Sequence, residues 1–136
     1  MTVQWSTAVR NAVVAGWEAA IGTTPRVEFR TGAKAALTTD PAAGTLLATF
    51  VLAADWASAP TDGTVTLTGM PAIVDATDEG IIGHYRITNA AGTVCHEQGT
   101  VTATGGGGGD LTVDNVNVVE GQSVLITSWS KTAPGA

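Results

Sequence analysis

Gly83-His84-Tyr85-Arg86-Ile87-Thr88-Asn89-Ala90-Ala91-Gly92-Thr93-Val94-Cys95-His96-Glu97-Gln98-Gly99-Thr100-Val101 is the stretch whose reading decides the fold. Two runs of strand-forming residues flank Asn89 to Gly92, a four-residue turn signal, so the stretch reads as a β-hairpin. It holds both histidines, the only tyrosine and the only cysteine of the chain. Any side-chain chemistry has its best chance here, yet the pattern describes a structural spine and not an active site.

With Thr88 and Thr93 closing the turn, His84 lies opposite Glu97, Tyr85 opposite His96 and Arg86 opposite Cys95. His84, Arg86, Cys95 and Glu97 then share one face, and Tyr85, Ile87, Val94 and His96 share the other. A metal centre needs three or more converging ligands, and this register separates the two histidines, so no metal site is expected. Nucleophilic use of Cys95 needs an oriented base, and the neighbouring His96 points away along a strand. No Gly-x-Ser-x-Gly elbow is present, and no pair of acids is set up for sugar hydrolysis. Asp75, Asp78, Glu79, Asp110 and Asp114 match no calcium-loop spacing and read as turn initiators. No catalytic residue, metal or cofactor is assigned.

Outward from the hairpin, the chain has strand character on both sides. Val27, Phe29 and Thr31 alternate with Arg26, Glu28 and Arg30, the pattern of a half-buried strand. Thr45 to Leu52 is apolar on both faces, as a central strand would be. Short strands are expected at Thr64 to Thr68, Ile73 to Asp75, Leu111 to Val113, Asn115 to Val119 and Ser123 to Lys131. Gly32 to Gly44 and Ala53 to Gly63 read as loops. The five consecutive glycines of Gly105 to Gly109 read as a flexible tether or exposed loop tip. They cannot form a phosphate loop, which requires a Lys-Ser/Thr pair and a following helix.

Only the N-terminus is helical. Ser6 is a good N-cap and Thr7 to Ile21 has helical spacing. Val9, Val13, Trp17 and Ala20/Ile21 form one stripe, with Arg10, Asn11 and Glu18 facing away. Gly22 supplies the stop and Pro25 prevents continuation. The stripe either covers an open end of a sheet or docks on a neighbouring subunit. Of the tryptophans, Trp17 and Trp129 are expected in the core, and Trp56, in its loop, at an interface. Val9, Val13, Trp17 and Trp56 are thus the interface candidates.

The expected fold is mainly β: an antiparallel β-sandwich or barrel-like domain with one N-terminal amphipathic α-helix. Residues 1–136 make a single domain, with 1–22 the helical segment and 105–109 the glycine-rich loop. Only 13% of residues are charged, which suits either a surface committed to other chains or one kept polar by Thr, Ser and Gly. The net charge is −6, from 6 Lys+Arg against 12 Asp+Glu, and no basic cluster exists to neutralise nucleic-acid phosphates. One cysteine makes no intrachain disulfide. The start lacks a secretory pattern, and no apolar run approaches the roughly 20 residues of a membrane span, so synthesis in a cytoplasm is expected.

Three stretches carry a family resemblance: Met1-Thr2-Val3-Gln4-Trp5-Ser6-Thr7-Ala8-Val9-Arg10-Asn11-Ala12-Val13; the hairpin strands Gly83 to Thr88 and Gly92 to Val101; and Gly109-Asp110-Leu111-Thr112-Val113-Asp114-Asn115 through Ser128-Trp129-Ser130-Lys131-Thr132-Ala133. Together they resemble a family of small virion structural proteins encoded by tailed bacteriophages and prophages. The resemblance covers nearly the whole chain and brings no catalytic motif with it. It implies a non-enzymatic subunit of a phage particle, first a capsid decoration or cement protein, next a tail- or neck-associated one. The partners implied are major capsid or tail proteins and further copies of the chain. The location implied is the virion, after synthesis in the host cytoplasm. A module binding host glycans through Trp56 and the loop tips is the first rival class, and an enzyme such as a cell-wall hydrolase the second.

Overall fold

The computed structural model describes residues 3–136; Met1 and Thr2, at the head of the opening motif, lie outside the described residues. Helix α1 (Thr7–Ile21) starts where Ser6 caps it, the hydroxyl accepting from the Val9 N–H at 3.2 Å. It ends at Gly22, whose φ is +87° and whose N–H donates to the Glu18 carbonyl at 3.0 Å. The buried stripe is not the expected one. Arg10, Val14 and Ile21 are buried and Trp17 is half-buried, while Val9 and Val13 are exposed. Arg10 causes the rotation. Its Nη2 donates to the Ala133 carbonyl at 3.1 Å and its Nη1 to the Asp62 carbonyl at 3.0 Å. With those carbonyls as partners the guanidinium can be buried without leaving its donors empty. Asn11 on the same side accepts from the Gly63 N–H at 2.7 Å.

The strands are β1 (Arg26–Thr31), β2 (Leu46–Val51), β3 (Thr64–Thr66), β4 (Ala72–Asp75), β5 (Gly80–Thr88), β6 (Cys95–Ala103), β7 (Leu111–Val113), β8 (Asn117–Val118), β9 (Ser123–Ile126) and β10 (Ser130–Thr132). The main sheet has the order β2-β1-β5-β6-β7, with β8 pairing the start of β5. Two ribbons, β10-β3 and β4-β9, complete a sandwich-like, mainly β fold with one N-terminal helix, as expected. The inner face of the main sheet carries Val27, Phe29, Tyr85 and Ile87, paired across β1 and β5. These pack in one core with Phe50, Trp56, Val65, Ile126 and Trp129. Edge-on aromatic contacts join Phe29 to Phe50, Trp17 to Trp56 and Tyr85 to Trp129.

Strand β2 is an edge, not the central strand that its apolar run suggests. Leu47 and Ala48, successive residues on opposite faces, are both fully buried. The edge is covered instead of paired: the Thr77 N–H donates to the Leu47 carbonyl at 2.8 Å.

The hairpin register also departs from expectation. His84 pairs with Thr100, Tyr85 with Gly99, Arg86 with Gln98 and Ile87 with Glu97, then a bulge brings Thr88 opposite Cys95. The turn is longer than Asn89 to Gly92 because Asn89 organises it. Its Oδ1 accepts from the Thr93 N–H at 2.8 Å and the Val94 N–H at 3.3 Å, and its own N–H donates to the Val94 carbonyl. The three-residue shift is odd, so it exchanges the faces of Glu97 to Thr100 relative to β5, while the bulge leaves Cys95 on the Arg86 face, as expected. Glu97 therefore joins Tyr85, not His84.

Strands β6 and β7 are parallel, Val101 facing Leu111 and Ala103 facing Val113, the one parallel pair among the described strands. Residues 104–110 make the return, far less than the dozen or more a parallel connection usually takes. The glycines make so short a return possible. Gly107 has φ +68°, and a Cβ there would lie 2.8 Å from Thr102 Cγ2. The Gly109 N–H donates to Thr102 Oγ1 at 2.9 Å. The run is thus a loop folded against β6, exposed as expected but not a free tether.

Candidate functional site

The chemistry-bearing side chains divide between the two faces of the main sheet. On the inner face Glu97 is a hub. Tyr85 Oη donates to its Oε2 at 2.7 Å, Trp17 Nε1 donates to its Oε1 at 3.0 Å, and Lys131 Nζ lies 2.7 Å from Oε1. Lys131 also sits over the Trp17 ring, 5.3 Å from its centroid. Burial, then the hydrogen bond and charge of Glu97, push the Tyr85 phenol far above its ordinary value. These groups tie α1, β5, β6 and β10 together, and their hydrogen-bonding capacity is used in doing so.

The outer face is different. Glu28 and Arg30 of β1 form an ion pair at 3.0 Å, and Arg86 pairs across the strands with Glu28 and Gln98. The loop of residues 32–44 closes over part of this face. His84 Nδ1 meets the Gly32 carbonyl at 2.9 Å, so that nitrogen carries the proton, and Gln98 Nε2 donates to the Ala35 carbonyl at 2.8 Å. His84 is fully buried. Burial holds its pKa below 6.5; the Gly32 bond opposes this, and the charges of Arg30 and Arg86 add to it.

Between this loop and the hairpin turn lies a cleft of about 520 Å³. Arg86 forms part of its wall, with Glu28, Arg30, Asp40 and Cys95. Arg86 is only 7% exposed, and its Nε and Nη1 are buried with no hydrogen-bond partner among the described residues. His84 Nε2 and Gln98 Oε1 are likewise unpartnered. Nowhere else among the described residues do buried side-chain polar atoms stand unsatisfied.

Cys95 borders this cleft with its Sγ 3.3 Å from the Glu97 carbonyl. Burial raises its pKa, the opposite of what activates a thiol. His96 is exposed at the bulge. The aspartates of the turns act as caps: Asp78 accepts from the Glu79 N–H, and Asp110 from the N–H and hydroxyl of Thr100. Those bonds, the backbone one foremost, lower the Asp110 pKa. Among the described residues no group of three or more His, Cys, Asp or Glu converges.

The four interface candidates fall into two pairs, Val9 with Val13 on the surface and Trp17 with Trp56 against the core. Val9 and Val13 are surface residues, 47% and 41% exposed. Trp17 is half-buried against Trp56. Trp56, placed in an exposed loop by its sequence context, is 1% exposed, and its Nε1 donates to the Gly22 carbonyl at 2.7 Å. It seals the end of α1 against the core because the helix supplies a carbonyl for its indole N–H. Sequence reasoning gave Arg86 a face but no role. The visible signal was the run of charges at Arg26, Glu28 and Arg30, which promises a polar sheet face needing cover. No family model, no curated protein and no solved structure matches this chain.

Proposed function

We propose that this chain is a non-enzymatic structural subunit of a bacteriophage particle, a decoration or cement protein on the capsid that contacts the major capsid protein and further copies of itself. The family resemblance of its hairpin and both termini supplies the phage setting. The observation that carries the assembly reading is the outer face of α1. The helix satisfies its own core through Arg10, Val14, Trp17 and Ile21, yet keeps Val9 and Val13, one turn apart, in solvent. Apolar residues at that spacing are what a neighbouring subunit would cover. The low charge content favours the same use of the surface. The side chains best suited to chemistry, Glu97, Asp110 and Cys95, are held in structural contacts.

The experiment is reconstitution. Purified protein added to particles lacking it is expected to bind saturably, at symmetric positions visible as density, and the Val9→Ser/Val13→Ser double variant to fold but not bind. A protein that stays monomeric at high concentration and never binds such particles overturns the reading. Density at the tail or neck would move it to the related structural role there.

A further inference from the structure

We infer that the cleft between residues 38–42 and the hairpin turn is a binding site for a small monoanionic carboxylate, with Arg86 as its anchor. Buried guanidinium groups are held by carboxylates or carbonyls, because an unpaired N–H in the interior forfeits its hydration. Arg10 obeys this rule through Ala133 and Asp62. Arg86 does not: two of its nitrogens are buried and empty at the edge of an open cleft. Glu28, its cross-strand neighbour on β1, gives its Oε1 to Arg30 and leaves those two nitrogens without a bond. Asp40, across the cleft, spends an oxygen on the Leu37 N–H at 3.0 Å. Gln98, directly opposite Arg86 on β6, is turned to the Ala35 carbonyl.

The ligand class follows from charge and shape. The charged residues lining the cleft are Glu28, Asp40, Arg30 and Arg86, which sum to zero. One added negative charge can be held by the free guanidinium, whereas a dianion would meet the repulsion of two carboxylates. Guanidinium and carboxylate are geometrically matched, and the hydroxyls of Thr38 and Thr39 on the cleft wall offer uncharged donors beside them. A volume of about 520 Å³ is in the range of small-molecule sites. The inference is independent of any role in a particle.

The test is a nuclear magnetic resonance titration of the full chain with sodium acetate, with sodium chloride and inorganic phosphate at pH 8 as comparisons. Acetate is expected to shift the amides of Thr38 to Asp40 and Thr93 to Cys95 saturably, and phosphate to bind more weakly. Arg86→Met, which leaves no buried charge behind, is expected to weaken acetate by about tenfold or more, the worth of one charge-assisted hydrogen bond. Glu28→Gln makes the cleft net positive and is expected to tighten acetate several-fold, which holds the test open if the Arg86 variant fails to fold. Absence of saturable acetate shifts, stronger binding of phosphate, or affinity unmoved by Glu28→Gln overturns the inference. Acetate-blind spectra would mean that Arg86 is satisfied by internal water.

Discussion

Tyr85 donates its hydroxyl to Glu97 at 2.7 Å, from a position two residues along the paired strand. The bond crosses the sheet diagonally because Tyr85 lies directly opposite Gly99, where no side chain stands in the way of its ring. Register, ring and carboxylate are one arrangement: only when Tyr85 faces Gly99 can the phenol reach Glu97 while Glu97 also receives Trp17 and Lys131.

The chain has a single tyrosine, so its titration can be followed cleanly by absorbance. In the unfolded chain the phenol ionises near 10, and in the fold its pKa is raised above that by burial and by Glu97. The stability this confers is complete below pH 10 and is lost as pH rises from there toward the folded value. Tyrosinate absorbance is expected to appear together with loss of structure, not before it. Tyr85→Phe should remove this alkaline instability and cost about 1–3 kcal/mol at neutral pH by stripping a partner from a half-buried carboxylate. Tyrosinate that forms in the intact fold near pH 10 would show the bond to be weak.

Gly99→Ala tests the register itself. A Cβ at Gly99 would stand 2.7 Å from Tyr85 Cε1 and Oη, a distance that forces the ring to move. The expected loss is about 1–3 kcal/mol, the usual range for overpacking, measured by denaturant unfolding. Combined with Tyr85→Leu the loss should shrink, since the obstacle is then gone. Additive losses would place the clash elsewhere.

The contrast between what the sequence disclosed and what it hid is physical. α1 was legible to the residue because Ser6 and Gly22 act locally. Strand β1 was legible because its alternation of Val27 and Phe29 with charged residues has a single interpretation. The hairpin register was not, because Asn89 can close turns of several lengths and only its bonds to Thr93 and Val94 choose among them. The helix face was misjudged because hydrophobicity ranks valine above arginine, and no local signal announces that Ala133, far along the chain, will receive the Arg10 guanidinium. The open cleft was hidden for the same reason: an orphaned Arg86 is defined by what its surroundings fail to provide.

The glycine run gives a differential prediction. Gly107→Ala places a Cβ against Thr102 at a residue with φ +68°, and should cost about 1 kcal/mol or more. Gly106→Ala has only the Ala103 carbonyl at 3.8 Å to meet and no positive φ, and should be close to neutral. A free tether would tolerate both equally. Thermal melts of the two variants separate the cases.

Trp17 and the valine pair on α1 should behave oppositely. Trp17→Ala removes the contact with Trp56 and the donor to Glu97, and is expected to cost about 3 kcal/mol in the isolated protein. Val9→Ser/Val13→Ser alters exposed positions and should change stability by no more than about 0.5 kcal/mol per site. Calorimetry that finds the valine variant as damaged as the tryptophan one would mean that α1 packs on its other face.

Acid stability should report His84. The imidazole is held neutral in the fold, with its pKa below the 6.5 of the unfolded chain, chiefly by burial. Between those two values the unfolded state binds more protons than the folded one, so stability is full above pH 6.5 and falls as pH drops through the folded pKa. The charges facing the ring do not cancel this: Arg30 and Arg86 reinforce the depression, and Glu28 offsets only part of it. Protonation would also require a second donor to be placed at Nε2, which already lacks a partner. Asp110 adds its own acid sensitivity, but its pKa is lowered from 3.8, so its loss begins at lower pH. Denaturant unfolding of the wild type is therefore expected to weaken in two stages, one starting near pH 6.5 and one below pH 3.8. His84→Gln should abolish the first stage and leave the second, because an amide can still donate toward Gly32 but cannot take up a proton in this range. A first stage that persists in the variant would assign it to a group other than His84.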